Sequence, residues 1–203
     1  MKTLIIVDFQ KDFANKNGSL YVAGAEYAEV NIVDYINKHS SELCEVIFTV
    51  DWHTENHCSF MKNGGTWPIH CIQFTEGAGI SDNIMKTCIF NNLPVKVFKK
   101  GNCDDSEEYG AFQYMWKFDE NNKIKACNEA NESIYINSND LVVCGIAGDY
   151  CVCETLSNLI RHNLRENLNL NIEVLRDGIV SIDGGSKLDN FIVENNLLTI
   201  NKF

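Results

Sequence analysis

Leu141-Val142-Val143-Cys144-Gly145-Ile146-Ala147-Gly148-Asp149-Tyr150-Cys151-Val152-Cys153-Glu154-Thr155-Leu156-Ser157-Asn158-Leu159-Ile160 is the stretch that decides the fold. Its first four residues form a continuous apolar run, which reads as a buried strand. Its last eight carry apolar residues at helical spacing. Cys151 therefore falls where a strand ends and a helix begins. A helix N-terminus lowers a cysteine's pKa, and the thiolate is the nucleophilic form. Backbone N–H groups at such a turn lack intrahelical partners and can receive an oxyanion. One turn can thus supply a nucleophile and part of its electrophilic support.

The same pattern recurs along the chain. Leu4–Asp8 and Glu45–Val50 read as apolar strands, the first ending in Asp8 and the second followed by Asp51. Pro94–Phe98 reads as a third strand and is followed by Lys99-Lys100-Gly101. Leu141–Cys144 is the fourth, Asn171–Leu175 the fifth and Leu197–Ile200 the last. Helices are expected over Ala23–Ser41, Val152–His162 and Lys187–Glu194, while 52–78 and 102–138 read as irregular or mixed and polar. Continuous apolar strands alternating with helices indicate a parallel sheet covered on both faces. The expected fold is α/β: a three-layer sandwich with a mostly parallel central sheet of about six strands, formed as one domain over residues 1–203. Ligands in such sheets bind outside the carboxyl ends of the strands. Asp8, Asp51, Lys100 and Cys151 all fall at those ends.

Composition narrows the class. The chain has 203 residues, 45% of them hydrophobic, and a formal net charge of −11. That charge opposes a nucleic-acid partner, which requires basic patches. No apolar run approaches the length of a membrane span, and the short run after Met1 lacks a cleavage site. The 9 cysteines are odd in number and irregularly spaced, unlike a secreted disulfide framework. The expected compartment is the cytoplasm, with no membrane partner.

Two constellations carry chemistry. An aspartate at a strand end is most often a cap or turn residue, and Lys99-Lys100-Gly101 reads equally as a solvated turn. Placed beside Cys151, however, Asp8 can accept the thiol proton and Lys100 can hold the charges that develop. The second constellation is Asp51-Trp52-His53-Thr54-Glu55-Asn56-His57 with Trp67-Pro68-Ile69-His70. Histidines in a loop are commonly surface residues. Asp51 and His53 nevertheless share one side of an extended segment, and His57 and His70 can fold over from the loop. Carboxylate and imidazole donors suit one divalent ion, zinc foremost, with iron or manganese also accommodated. Cys58 and Cys71 each follow a candidate ligand, which leaves a thiolate site open.

Val7-Asp8-Phe9-Gln10-Lys11-Asp12-Phe13, Asp51-Trp52-His53 with His57, Trp67-Pro68-Ile69-His70-Cys71, Lys100-Gly101 and Gly145–Val152 occur in an order that resembles the isochorismatase-like cysteine hydrolases, from about residue 3 to at least 160. The metal quartet resembles the nicotinamidase (pyrazinamidase) branch. The resemblance implies a catalytic triad of Asp8, Lys100 and Cys151, and a metal held by Asp51, His53, His57 and His70. It implies an oxyanion hole from the amides of Ala147 and Cys151, beside a cis peptide between Ile146 and Ala147. It implies a pyridine ring held by Phe13 and Trp67, with Tyr109 closing the pocket and Ile146 beside it. The implied reaction is hydrolysis of nicotinamide to nicotinate and ammonia through a thioester. Gly148 departs from the pattern, standing where threonine is common. Another amidase with the same triad, or a non-catalytic metal- or pyridine-binding protein, are the alternatives.

Overall fold

A computed structural model describes residues 1–118, 123–130 and 132–201. In chain order the elements are β1 (Lys2–Val7), α1 (Lys11–Ala14), α2 (Ala25–His39), β2 (Leu43–Asp51), α3 (Asp82–Phe90), β3 (Val95–Lys100), β4 (Tyr114–Lys117), β5 (Ile124–Cys127), β6 (Ser133–Ile136), β7 (Asp140–Ile146), α4 (Cys153–Glu166), β8 (Asn171–Val180), α5 (Ser186–Glu194) and β9 (Leu198–Ile200). Six strands form one sheet in the order β3-β2-β1-β7-β8-β9, and every pairing within it is parallel. Helices flank it, giving the expected three-layer α/β architecture.

The apolar runs explain the sheet's interior. Leu4, Ile5, Ile6 and Val7 of β1 and Leu141, Val142, Val143 and Cys144 of β7 are fully buried. Side chains on both faces of a central strand must meet apolar cover, and these runs supply it. Helix α2 turns Ala25, Ala28, Ile32, Tyr35 and Ile36 inward, at spacings of three, four, three and one, which is one face of a helix. No helix among the described residues is long and apolar enough to cross a membrane.

The strand order reverses at β1 and β7. From β1 the chain builds outward through β2 and β3, then returns to β7 on the other side. A crevice opens at the carboxyl ends where such a reversal occurs. Lys100, Asp51, Asp8 and Cys151 follow or end β3, β2, β1 and β7, four adjacent strands. Their registers align, with Asp51 opposite Lys100 and Val7 opposite both Thr49 and Gly145. Gly145 allows this closeness, since a Cβ there would lie 2.0 Å from the carbonyl oxygen of Val7.

Two parts of the molecule add to the sequence reading. Helix α3 is capped by Ser81, whose Oγ accepts the amide of Ile84 at 3.3 Å. Strands β4, β5 and β6 form a separate antiparallel sheet within the segment expected to be irregular, of which residues 119–122 and 131 lie outside the described residues. Their length is four residues each, and β4 and β6 alternate exposed with buried positions over most of that length.

Candidate active site

Lys100 is the hub of the crevice. It is fully buried at the end of β3. Its Nζ lies 2.8 Å from Asp8 Oδ2 and 2.5 Å from Asp51 Oδ1. It also donates to the carbonyl of Glu108 at 3.2 Å and stands 3.8 Å from Cys151 Sγ. Burial alone would strip the ammonium of its proton, but the carboxylates of Asp51 and Asp8 outweigh it and hold Lys100 charged. Asp8 has the left-handed backbone that aspartate tolerates, φ 47. Its Oδ1 accepts from Thr49 Oγ1 at 2.7 Å, while Oδ2 faces the Lys100 ammonium. Acceptor atoms of Asp8, Asp51 and Cys151 all lie within 4.8 Å of one another. Burial pushes the Asp8 carboxyl up despite Lys100, which makes it a better proton acceptor than an ordinary aspartate.

The protonation of Cys151 differs from the sequence expectation. Burial raises its thiol well above the ordinary range; Lys100 lowers it, and Asp8 and Asp51 raise it further. The resting group is therefore a thiol, and its proton must pass to a base when the sulfur attacks. Helical backbone also begins earlier than expected. Gly148–Val152 is a single wide π-type turn and α4 starts at Cys153. The carbonyl of Ala147 accepts from the amides of both Tyr150 and Val152 at 3.1 Å. The peptide between Ile146 and Ala147 is cis. Gly148 is closely packed: a Cβ there would lie 2.2 Å from Ser181 Oγ and 2.9 Å from Ile179 Cγ2, so a threonine would require these side chains to shift.

Asp51 joins this group to the histidines. Its Oδ1 faces Lys100, and its Oδ2 lies 3.6 Å from His53 Nε2 and 3.9 Å from His70 Nε2. Asp51, His53 and His70 each offer a buried ligand atom within 4.8 Å of the other two. The far nitrogens are already committed. His53 Nδ1 bonds the carbonyl of Gly101 and His70 Nδ1 that of Pro68, both at 2.8 Å. Such partners fix the tautomer and direct Nε2 lone pairs inward. His57 adjoins this trio. Its ring stacks on His53 at 3.9 Å, but it stands outside the three-residue cluster. Its Nδ1 lies 2.8 Å from Ser59 Oγ, and its buried Nε2 meets no hydrogen-bond geometry among the described residues.

This donor set fits a divalent metal. Burial lowers His57 to about 4, with His53 adding to the effect, and burial also lowers His70, which favours the neutral, ligating form of both; burial lowers His53 too, but Asp51 outweighs it and raises it, so a cation there would displace a proton. Burial would raise Asp51, yet Lys100, His53 and His70 hold it ionised. Phe60 packs edge-on to all three imidazoles, 5.4–5.9 Å between centroids. The thiolate alternative lacks geometric support: neither Cys58 nor Cys71 joins the histidine cluster among the described residues.

An aromatic cavity stands over both centres. Phe13, Trp67, Tyr109 and Tyr150 line it, with Asp51, His70, Ala147 and Cys151 also in its walls. Trp67 Nε1 donates to the Tyr109 hydroxyl at 2.9 Å, and the Trp67 and Tyr150 rings meet edge to face at 5.1 Å. Ile146 is a correction: it is buried in β7 and does not line the cavity, where its neighbour Ala147 does. Sequence reasoning missed Tyr150, Glu107, Leu20, Val22 and Ile182. Only Tyr150, an aromatic beside the nucleophile, carried a signal that could have revealed it.

No family model matches the chain. The fold and its strand-end site define an isochorismatase-like α/β hydrolase. The chain is 30% identical over 179 residues to the nicotinamidase of Saccharomyces cerevisiae, covering 76% of this chain and 79% of that relative. Among solved structures it resembles the yeast nicotinamidase bound to the inhibitor nicotinaldehyde (TM-score 0.76, 25% identity, all of both chains). It also resembles the pyrazinamidase of Pyrococcus horikoshii in complex with zinc (TM-score 0.74, 25% identity, 99% of each chain). The chain belongs to the nicotinamidase family.

Proposed function

We propose that this protein hydrolyses nicotinamide to nicotinate and ammonia, a step of NAD salvage, with Cys151 as nucleophile and one zinc ion at Asp51, His53, His57 and His70. The observation that carries the reading is Asp51, one carboxylate shared between Lys100 and two imidazoles beneath an aromatic cavity. Phe13 and Trp67 supply ring faces of the size a pyridine needs, and Tyr109, tied to Trp67, closes the wall. Asp8 takes the Cys151 proton as the sulfur attacks the carboxamide carbon. Lys100 compensates the negative charge that remains, and the amides of Ala147 and Cys151 receive the oxyanion. Protonated Asp8 then gives its proton to the departing ammonia, leaving a thioester. Water, deprotonated by Asp8, hydrolyses that thioester and releases nicotinate. A bound zinc ion supplies a Lewis-acid point for the pyridine nitrogen, which orients the ring and draws electrons from it.

Zinc is favoured because the donors are imidazole and carboxylate without thiolate; the same donors also accept iron or manganese. Nine free thiols suit a reducing compartment, and we assign the protein to the cytoplasm. The test is quenched-flow mass spectrometry with nicotinamide. A nicotinoyl adduct on Cys151, with stoichiometric ammonia release, is expected. Ammonia release by a Cys151→Ala variant at the wild-type rate would overturn the reading.

A further inference from the structure

The antiparallel sheet β4–β6 has no part in the chemistry above, yet it meets the site at one point. Glu108, buried, lies between the end of β3 and the residues that follow β5. Its Oε2 accepts the amide of Gly101 at 2.9 Å, and its Oε1 accepts the amide of Glu129 at 3.4 Å. Its own carbonyl receives Lys100 Nζ. Asn128 strengthens the same junction. Its Nδ2 donates to the carbonyl of Lys99 at 2.7 Å, and its Oδ1 accepts the amide of Glu132 at 2.9 Å. Residues 99, 100 and 101 are thus all gripped from this side.

Gly101 is where the grip reaches the metal site. Its carbonyl is the partner of His53 Nδ1. Its φ of +65 is in the left-handed region, and a Cβ would lie 2.5 Å from His53 Cε1, so the imidazole rests directly on this peptide. A tilt of the Gly101 peptide would turn the ring, and a shift of the Glu108 main chain would move the ammonium.

We propose that Glu108 is a positioning residue for both centres, and that Asn128 and Glu129, which follow β5, brace it against the end of β3. The inference rests on the metal and triad reading above. Its test is zinc affinity of metal-stripped protein, measured by chelator competition, alongside kcat and KM for nicotinamide at saturating zinc. Glu108→Ala is expected to weaken zinc binding about tenfold or more, the scale found for residues that orient metal ligands. It should lower kcat with little change in KM, because the aromatic walls do not depend on it. Glu108→Gln keeps an acceptor for the Gly101 amide and should restore both values to near wild type. Asn128→Ala should weaken zinc binding in the same direction, and carries the test if Glu108→Ala does not fold. Wild-type zinc affinity in folded Glu108→Ala or in Asn128→Ala would overturn the proposal, as would a Glu108→Gln variant as impaired as Glu108→Ala. A wild-type protein that binds no zinc would instead overturn the metal reading on which the proposal rests.

Discussion

Replacing Lys100 by methionine keeps most of the side chain's length and removes its charge. The loss falls on two buried carboxylates, Asp8 at 2.8 Å and Asp51 at 2.5 Å. Removing one partner of a buried ionic cluster costs about 3–5 kcal/mol, because the groups left behind are neither solvated nor paired. In a chain of this size each kcal/mol lowers Tm by about 2–4 °C, so the variant should melt about 6–20 °C below wild type in the presence of chelator. The deficit should depend on pH with a definite sign. In the wild type Asp51 is held below its unfolded value chiefly by Lys100; that contribution is present above the unfolded pKa and is lost as pH falls through the folded one. In the variant, burial raises both carboxyls, so the native state binds more protons than the unfolded chain and loses stability as pH rises. The difference between the two proteins should therefore be full at pH 7 and shrink toward pH 4. Added zinc should recover part of it by compensating Asp51. The assay is thermal unfolding by circular dichroism from pH 4 to 8, with chelator and then with zinc. A variant within 2 °C of wild type at pH 7 in chelator, or a deficit that grows on acidification, would refute the charge network.

Other expectations follow from the same geometry. Cys151→Ala should abolish ammonia release while retaining nicotinamide binding by calorimetry, whereas Cys153→Ala should stay active, because Cys151 lines the cavity and Cys153 is not among its lining residues. The pH dependence of Cys151 alkylation should move in opposite directions in two variants, its apparent pKa falling in Asp8→Asn and rising in Lys100→Met, since Asp8 raises and Lys100 lowers the thiol; shifts of the same sign would contradict that reading. Gly101→Ala puts a methyl group 2.5 Å from the His53 ring at a positive φ, so it should cost about 1–2 kcal/mol in backbone strain alone and weaken zinc binding, read by unfolding and chelator competition.

Much of this was legible because it is encoded locally. Leu4–Val7 and Leu141–Cys144 announce buried parallel strands by their continuous apolarity, and the loaded residues that follow them identify the working edge of the sheet. The cysteine turn and the Asp51–His53 pair were readable for the same reason, whereas the cis peptide after Ile146 came only from the family resemblance. What escaped was set by tertiary sums. The thiol state of Cys151 depends on charges delivered by three other strands and on burial, against which a helix N-terminus is a small term. Strands β4–β6 are four residues long and lie among polar residues, too short for a period to declare itself. Glu108 looked like one acid in the run Glu107-Glu108; its partner is a backbone amide, which leaves no trace in a side-chain pattern.

The central claim is that a metal and a cysteine act together on a pyridine carboxamide. It is tested most directly by kinetics on nicotinamide and benzamide, the latter lacking the ring nitrogen, with the same protein as purified, after chelation, and after restoring one equivalent of zinc. The account predicts about one divalent ion per chain by elemental analysis, nicotinamide strongly preferred over benzamide, and ammonia release from nicotinamide that falls on chelation and returns with zinc while the fold is unchanged. A metal-free protein that hydrolyses both amides equally well would contradict it and point to a general amidase with the same triad.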